Sequence, residues 1–112
     1  MEFNQVTSIG RRAFRNSLLQ SITAPNALSV GDTAFSYSKL TTANFPNALS
    51  VGCIAFIGCQ RLTDANVSCI SDLRDMTFCN CYNLTSDMKF ANLSSIEEYA
   101  FGGCSKLSAI EL

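Results

Sequence analysis

Apolar residues recur along this chain in register, with polar residues filling the intervals. The clearest marker is a phenylalanine: Phe14, Phe35, Phe56, Phe78 and Phe101 follow one another at steps of 21, 21, 22 and 23 residues. Alanine precedes four of them, and Thr77 precedes Phe78. Five residues before each stand Ile9, Val30, Val51, Leu73 and Ile96, and three residues earlier again Val6, Ala27, Ala48, Ile70 and Leu93. Five or six residues after each come Leu19, Leu40, Leu62, Leu84 and Leu107. The heptapeptide Pro25-Asn26-Ala27-Leu28-Ser29-Val30-Gly31 returns letter for letter as Pro46-Asn47-Ala48-Leu49-Ser50-Val51-Gly52. Internal repetition at such a period is the mark of a stacked, repeating architecture.

Each of those leucines opens an extended segment. In residues 40–46, Leu40, Ala43 and Phe45 alternate with Thr42 and Asn44, which predicts a half-buried strand with Thr42 and Asn44 facing solvent. Pro46 then ends it by removing a ladder donor. Residues 19–25, 62–67, 84–91 and 107–112 follow the same plan, the fourth copy carrying one extra residue near Asp87. A single unit of this kind buries too little to fold alone. Stacked units bury Phe on Phe and Leu on Leu, and align their strands about 4.8 Å apart. The pattern therefore predicts an α/β repeat protein, a right-handed solenoid of about five coils at residues 6–26, 27–47, 48–69, 70–92 and 93–112, forming one domain over 1–112. One face carries the parallel strands; short helical or irregular turns around the Ala-Phe pairs form the other.

Composition narrows the function classes. Apolar residues make up 47% of the chain and charged ones 15%, the opposite of a disordered tail. Eight basic and nine acidic side chains leave a formal charge of −1 with no basic stripe, so a nucleic-acid partner is not expected. Histidine and tryptophan are absent, which removes the commonest general base and metal ligand. No apolar run approaches the ~18 residues that span a bilayer, so no membrane insertion is expected. The opening Met1-Glu2-Phe3-Asn4 lacks the basic and apolar regions of a signal peptide. That leaves an intracellular protein, or a piece of a longer, secreted surface chain.

Six cysteines lack both a C-x-x-C pair and a histidine, so neither a metal site nor any cofactor is expected. Cys59, Cys81 and Cys104 each lie three residues after the repeat phenylalanine and form one column. Stacked coils bring such residues close enough for a disulfide by distance. Parallel side-chain directions favour a ladder of free, buried thiols instead. Cys53, Cys69 and Cys79 share no column.

The string I-G-x-x-A-F-x-x-C-x-x-L, followed by a short strand ending in Pro, resembles the BspA-like leucine-rich repeats of bacterial and protist surface proteins. Here it reads Val51-Gly52-Cys53-Ile54-Ala55-Phe56-Ile57-Gly58-Cys59-Gln60-Arg61-Leu62, and the resemblance extends from about Val6 to Leu112. It implies a leucine-rich-repeat solenoid that binds a protein or cell-surface ligand, with no cofactor and no catalytic residues. Ser17 and Ser38 depart from the pattern at the Cys position, as do Arg74 and Glu97 where other coils carry Gly10, Gly31 and Gly52.

The outward strand residues are the candidate binding face: Ser21, Thr23, Thr42, Asn44, Asp64, Asn66, Asp87, Lys89 and Glu111, with Ala109 beside them. They are small, polar and of mixed sign, without the Trp, Tyr or Arg of a binding hot spot, so a merely solvated face is the competing reading. Asp72 and Asp75, or Glu97 and Glu98, are acidic neighbours with no cleft to tune them, and an enzyme is not expected. Asn66, Asn83 and Asn92 begin formal glycosylation sequons. Solenoids usually close with polar capping repeats, and none is visible here. Ile9 and Phe14 are thus expected to be exposed at one end, and Phe101, Leu107 and Ile110 at the other. Such unlike ends join head to tail, giving filaments or rings. The expected function is a non-catalytic protein-interaction or adhesion module using the strand face; the alternative is a structural subunit that self-assembles end to end.

Overall fold

The computed structural model describes residues 1–85 and 88–108, together with the backbone of 110 and 111. The chain runs through short strands: β1 (Ser8–Ile9), β2 (Ser21–Thr23), β3 (Ser29–Val30), β4 (Thr42–Asn44), β5 (Ser50–Val51), β6 (Asp64–Asn66), β7 (Asp72–Leu73), β8 (Met88–Lys89), β9 (Ser95–Ile96) and β10 (Ile110–Glu111). They fall into two columns, every pairing parallel. The even-numbered column holds β2-β4-β6 and then β8-β10; the odd-numbered one holds β1-β3-β5 and then β7-β9. The register puts Ser21, Thr42 and Asp64 in one row and Thr23, Asn44 and Asn66 in the next.

The result is a parallel-strand β-solenoid, coarser in count than expected: β1 to β9 enclose about four turns. The odd-numbered column was visible in the sequence only as a row of apolar residues. Each of its strands is two residues long, too short for alternation to appear, and one of the two, such as Val30 or Val51, points into the core.

No helix occurs among the described residues, so the helical turns and the α/β class expected from the sequence are corrected. The reason lies in the backbone around each phenylalanine. Residues two before and two after it adopt positive φ: Arg12 and Asn16, Thr33 and Tyr37, Ile54 and Gly58, Met76 and Asn80, Tyr99 and Gly103. This left-handed punctuation turns alternate N–H groups along the solenoid axis. Arg12, Phe14 and Asn16 donate to the carbonyls of Asp32, Ala34 and Ser36 in the next coil, at 3.1, 2.7 and 2.8 Å. Between them Ala13, Arg15 and Ser17 close turns onto Gly10, Arg12 and Phe14. A helix would need all of these donors for itself; here half of them tie one coil to the next.

The core is a stack of rings. Successive pairs Phe14–Phe35, Phe35–Phe56, Phe56–Phe78 and Phe78–Phe101 lie 5.3, 5.3, 5.1 and 5.6 Å apart, within 6° of parallel. Phe45 tilts against both Phe35 and Phe56 from the strand side. Leu40, Leu62, Leu84, Ala48 and Ile70 fill the remaining space and are fully buried. Gly31 and Gly52 are demanded by close approach: a Cβ would lie 2.7 Å from the Arg11 nitrogen at Gly31 and 2.5 Å from the Asp32 nitrogen at Gly52.

The first coil is covered where the sequence predicted exposure. Glu2 bridges Thr23 in parallel, and the Phe3 N–H donates to the Thr23 carbonyl at 2.8 Å. The Phe3 ring leans on Phe14 at 6.0 Å. Ile9 is consequently buried, at 6% exposure, and Phe14 half-buried. At the other end Phe101 and Leu107 are half-buried, and Ile96 is 49% exposed. The side chain of Ile110 lies outside the description.

Candidate interaction face

Alternation in the even-numbered strands brings the predicted face together. Ile22 and Ala43 turn into the core, leaving Ser21, Thr23 and Asn44 half-buried and Thr42, Asp64 and Asn66 exposed on the outer side. Lys89 of β8 is exposed on the same side. Asp87 and Ala109 lie outside the described residues, and of Glu111 only the backbone is described.

β6 pairs with β4, and β8 with β10. A groove of about 600 Å³ opens along this face, lined by Thr23, Thr42, Asn44, Asp64, Asn66, Ser68 and Lys89, with Ala43, Ala65, Val67 and Met88 beneath. Its size falls within the range of small-ligand sites, about 300–1,000 Å³.

Hydrogen bonds hold part of this lining in place. Asn66 Nδ2 donates to Asn44 Oδ1 at 3.0 Å, and Asn66 Oδ1 accepts from the Ser68 N–H at 3.2 Å. Thr63 and Thr41 hydroxyls donate down the edge to the carbonyls of Thr41 and Gln20. Asn26 and Asn47, at one repeat position, donate to the carbonyls of Asn4 and Pro25, and Asn83, at another, donates to that of Gln60, at 2.6–2.7 Å. Ser68, Asn26 and Asn47 were given no role from the sequence. Their signal was present: identical residue types at identical repeat positions, and an Asn-x-Ser string that forms a local turn.

The cysteine column is a ladder of free thiols. Cys59, Cys81 and Cys104 donate to the carbonyls of Phe35, Phe56 and Phe78, one coil back, at 3.0, 3.1 and 3.0 Å. Cys59 and Cys81 are buried; Cys104 is half-buried, which departs from the expectation of three buried thiols. Burial pushes the Cys59 thiol up from its ordinary value, and a hydrogen bond with Cys104 together with burial pushes Cys81 up. These are thiols held protonated, the reverse of a reactive cysteine.

The acidic neighbours do not converge on a cleft. Asp72 pairs with Arg74 at 3.3 Å, and Glu97 Oε2 accepts the Asp75 N–H at 3.1 Å across coils. No group of three or more His, Cys, Asp or Glu side chains placed to hold a metal ion occurs among the described residues. No helix among them is long and apolar enough to cross a membrane.

A family model described as "BspA type Leucine rich repeat region" matches residues 2–108 in six copies. Among solved structures, the chain is similar to a leucine rich cell surface protein from Faecalibacterium prausnitzii A2-165, with 25% identity and a TM-score of 0.63. The match covers 98% of this chain and 24% of that one, so the chain spans about a quarter of the protein it resembles. No curated protein matches it in sequence.

Proposed function

This chain belongs to the BspA-type leucine-rich-repeat family, and from that premise we propose that it is a non-catalytic module of a surface protein that binds a protein ligand through its strand face. The observation that carries the reading is the division of labour between the two sides. The turn side spends its backbone groups on joining coils. The even-numbered strands present a grooved row of hydroxyls, carboxamides and one carboxylate. Taking each strand of a column as one coil, five coils contribute to this scaffold. The similarity to a cell surface protein supports a place outside the cell, in adhesion. Mixed charge argues against nucleic acid as the ligand.

An array of secreted and cell-surface proteins probed with labelled protein tests the reading. Thr42→Lys combined with Asp64→Lys should abolish the partners bound by the wild type, while Arg15→Glu on the turn side should leave them. Loss with Arg15→Glu alone would contradict it.

One observation favours a second reading, head-to-tail self-association. The N–H groups of Tyr99, Phe101 and Gly103 have no acceptor among the described residues, though their counterparts in every earlier coil do. The Arg11, Ala13 and Arg15 carbonyls of the first turn are likewise unused among the described residues. Glu97 and Glu98 at one end oppose Arg11 and Arg12 at the other in sign. Sedimentation velocity over a concentration series should then show growing species that Phe101→Asp disperses. A concentration-independent monomer contradicts this second reading.

A further inference from the structure

We propose that a cleft off the strand face, between Lys39 and Arg61, binds a carboxylate-bearing sugar residue such as a hexuronate. The cleft, of about 240 Å³, is lined by Tyr37, Ser38, Lys39, Gly58, Gln60 and Arg61, at the corner leading from the phenylalanine turns into β4 and β6. It forms where the repeat length changes. Phe35 and Leu40 are five residues apart but Phe56 and Leu62 six, so a short corner faces a longer one. In the short corner the Lys39 N–H donates back to the Ser17 carbonyl at 3.0 Å. The long corner closes on itself instead, Leu62 N–H to the Cys59 carbonyl at 3.2 Å. Its Gln60 and Arg61 N–H groups find no acceptor among the described residues. Where two long corners meet, side chains tie them: Asn83 Nδ2 donates to the Gln60 carbonyl at 2.6 Å, and Lys106 Nζ to Asn83 Oδ1 at 2.8 Å. The side chains of Lys39, Gln60 and Arg61 make no such tie, and the cleft stays open between them.

What lines the cleft selects the ligand. Lys39 and Arg61 are exposed, and neither has an ion pair or a side-chain hydrogen bond among the described residues. No Asp or Glu stands among the described lining residues to offset them, so the cleft attracts an anion. A guanidinium fork beside an ammonium suits one carboxylate, the fork taking both oxygens. The Tyr37 ring, 53% exposed, rests against Gly58, where a Cβ would run into it. The rest of that ring offers an apolar surface to the flat side of a pyranose. The exposed Gln60 carboxamide offers both a donor and an acceptor to ring hydroxyls. Tyr and Arg, missing from the strand face, are the residue types of binding hot spots, and both are here. The volume lies below the range of about 300–1,000 Å³ for drug-sized ligands, which leaves room for a ring rather than a chain. An acidic peptide would satisfy the two cations and leave Tyr37 and Gln60 unused.

Glucuronate is the probe, titrated into the isotope-labelled intact chain beside glucose, which lacks the carboxylate, and acetate, which lacks the ring. Amide shifts should gather at residues 37–39 and 58–61, and glucuronate should saturate them at a concentration about tenfold or more below either control. Tyr37→Asn and Arg61→Asn install what other coils carry at the same positions, Asn16 and Asn80 for the first and Asn83 for the second. Both should therefore fold, as circular dichroism melts check, and if one does not, the other with Lys39→Gln keeps the test open. Each of the three should weaken glucuronate binding about tenfold or more. Leu49→Ser, exposed and away from the cleft, should change nothing. Acetate saturating the same shifts as readily as glucuronate, or binding indifferent to Tyr37→Asn, reduces the cleft to a site for any anion and overturns the proposal. No shift at these residues overturns it too, as does a glutamate-rich peptide that binds them more tightly than glucuronate. The strand-face reading is untouched by any of these outcomes, since none of the variants lies on that face.

Discussion

Phe35 and Phe56, 21 residues apart in the chain, lie with their rings 5.3 Å apart and 6° from parallel, both fully buried. Phe56 touches Phe78 in the same way on its other side, so its removal leaves a void inside the column rather than at an end. Phe56→Ala should cost about 3–5 kcal/mol, and Phe14→Ala less, because Phe14 is half-buried. Denaturant unfolding measures both; a loss below about 1 kcal/mol for Phe56→Ala would contradict the stack.

Glycine is required at Gly52 and idle at Gly10, although both occupy the same repeat position. A Cβ at Gly52 meets the Asp32 backbone, whereas one at Gly10 meets nothing within 4 Å. Gly52→Ala should therefore destabilise by roughly 1–3 kcal/mol, as an overpacked site does, and Gly10→Ala should be neutral. Equal effects on thermal melting would contradict the inter-coil contact.

The turns carry removable strain. Arg12 is exposed and sits at φ 62°, a conformation that costs an ordinary side chain about 1–2 kcal/mol and that Asn tolerates better. Arg12→Asn should raise stability by up to about 1 kcal/mol, while Arg15→Asn, exposed but outside the left-handed positions, should leave it unchanged. A decrease with Arg12→Asn would show that the φ pattern is not what costs stability there.

How far the sequence foretold this molecule depends on how many residues carried each signal. The phenylalanine, valine and leucine columns were legible because five copies repeat them, and burial follows the period. The two-residue strands β1, β3 and β5 were not, since alternation needs more residues than they have. The turns misled because only Asn16, Asn80, Gly58 and Gly103 advertise positive φ; Thr33 and Ile54, β-branched, argue against it and are held there by the coils on either side. Phe3 falls in register with Ala24 and Phe45, but that column changes residue type from coil to coil, and so its cover over Phe14 was not read. Of the candidate face, alternation foretold the rows Ser21-Thr42-Asp64 and Thr23-Asn44-Asn66 that the register forms.

The thiol ladder links stability to alkaline pH. Cys59 and Cys81 have folded-state pKa values raised above the ordinary 9.0. Their contribution to stability is thus complete below the unfolded value, and is lost as pH rises from there through the folded value. Denaturation midpoints should hold between neutral pH and about 8, then fall above about 9. Cys59→Ala with Cys81→Ala should flatten that alkaline fall relative to wild type. Native thiol labelling should reach Cys104 before Cys59 and Cys81, and a bridge found in this column by mass spectrometry of the unreduced protein would contradict the ladder.

The claim that most of the account leans on is that binding happens on the even-numbered strands, and amide chemical-shift mapping tests it most directly. Isotope-labelled protein would be titrated with whichever array partner binds it. The account predicts shifts concentrated at residues 42–44, 64–68 and 88–89, with the turns at 32–37 and 53–58 silent. Shifts concentrated in those turns, with the strand rows unmoved, would contradict it.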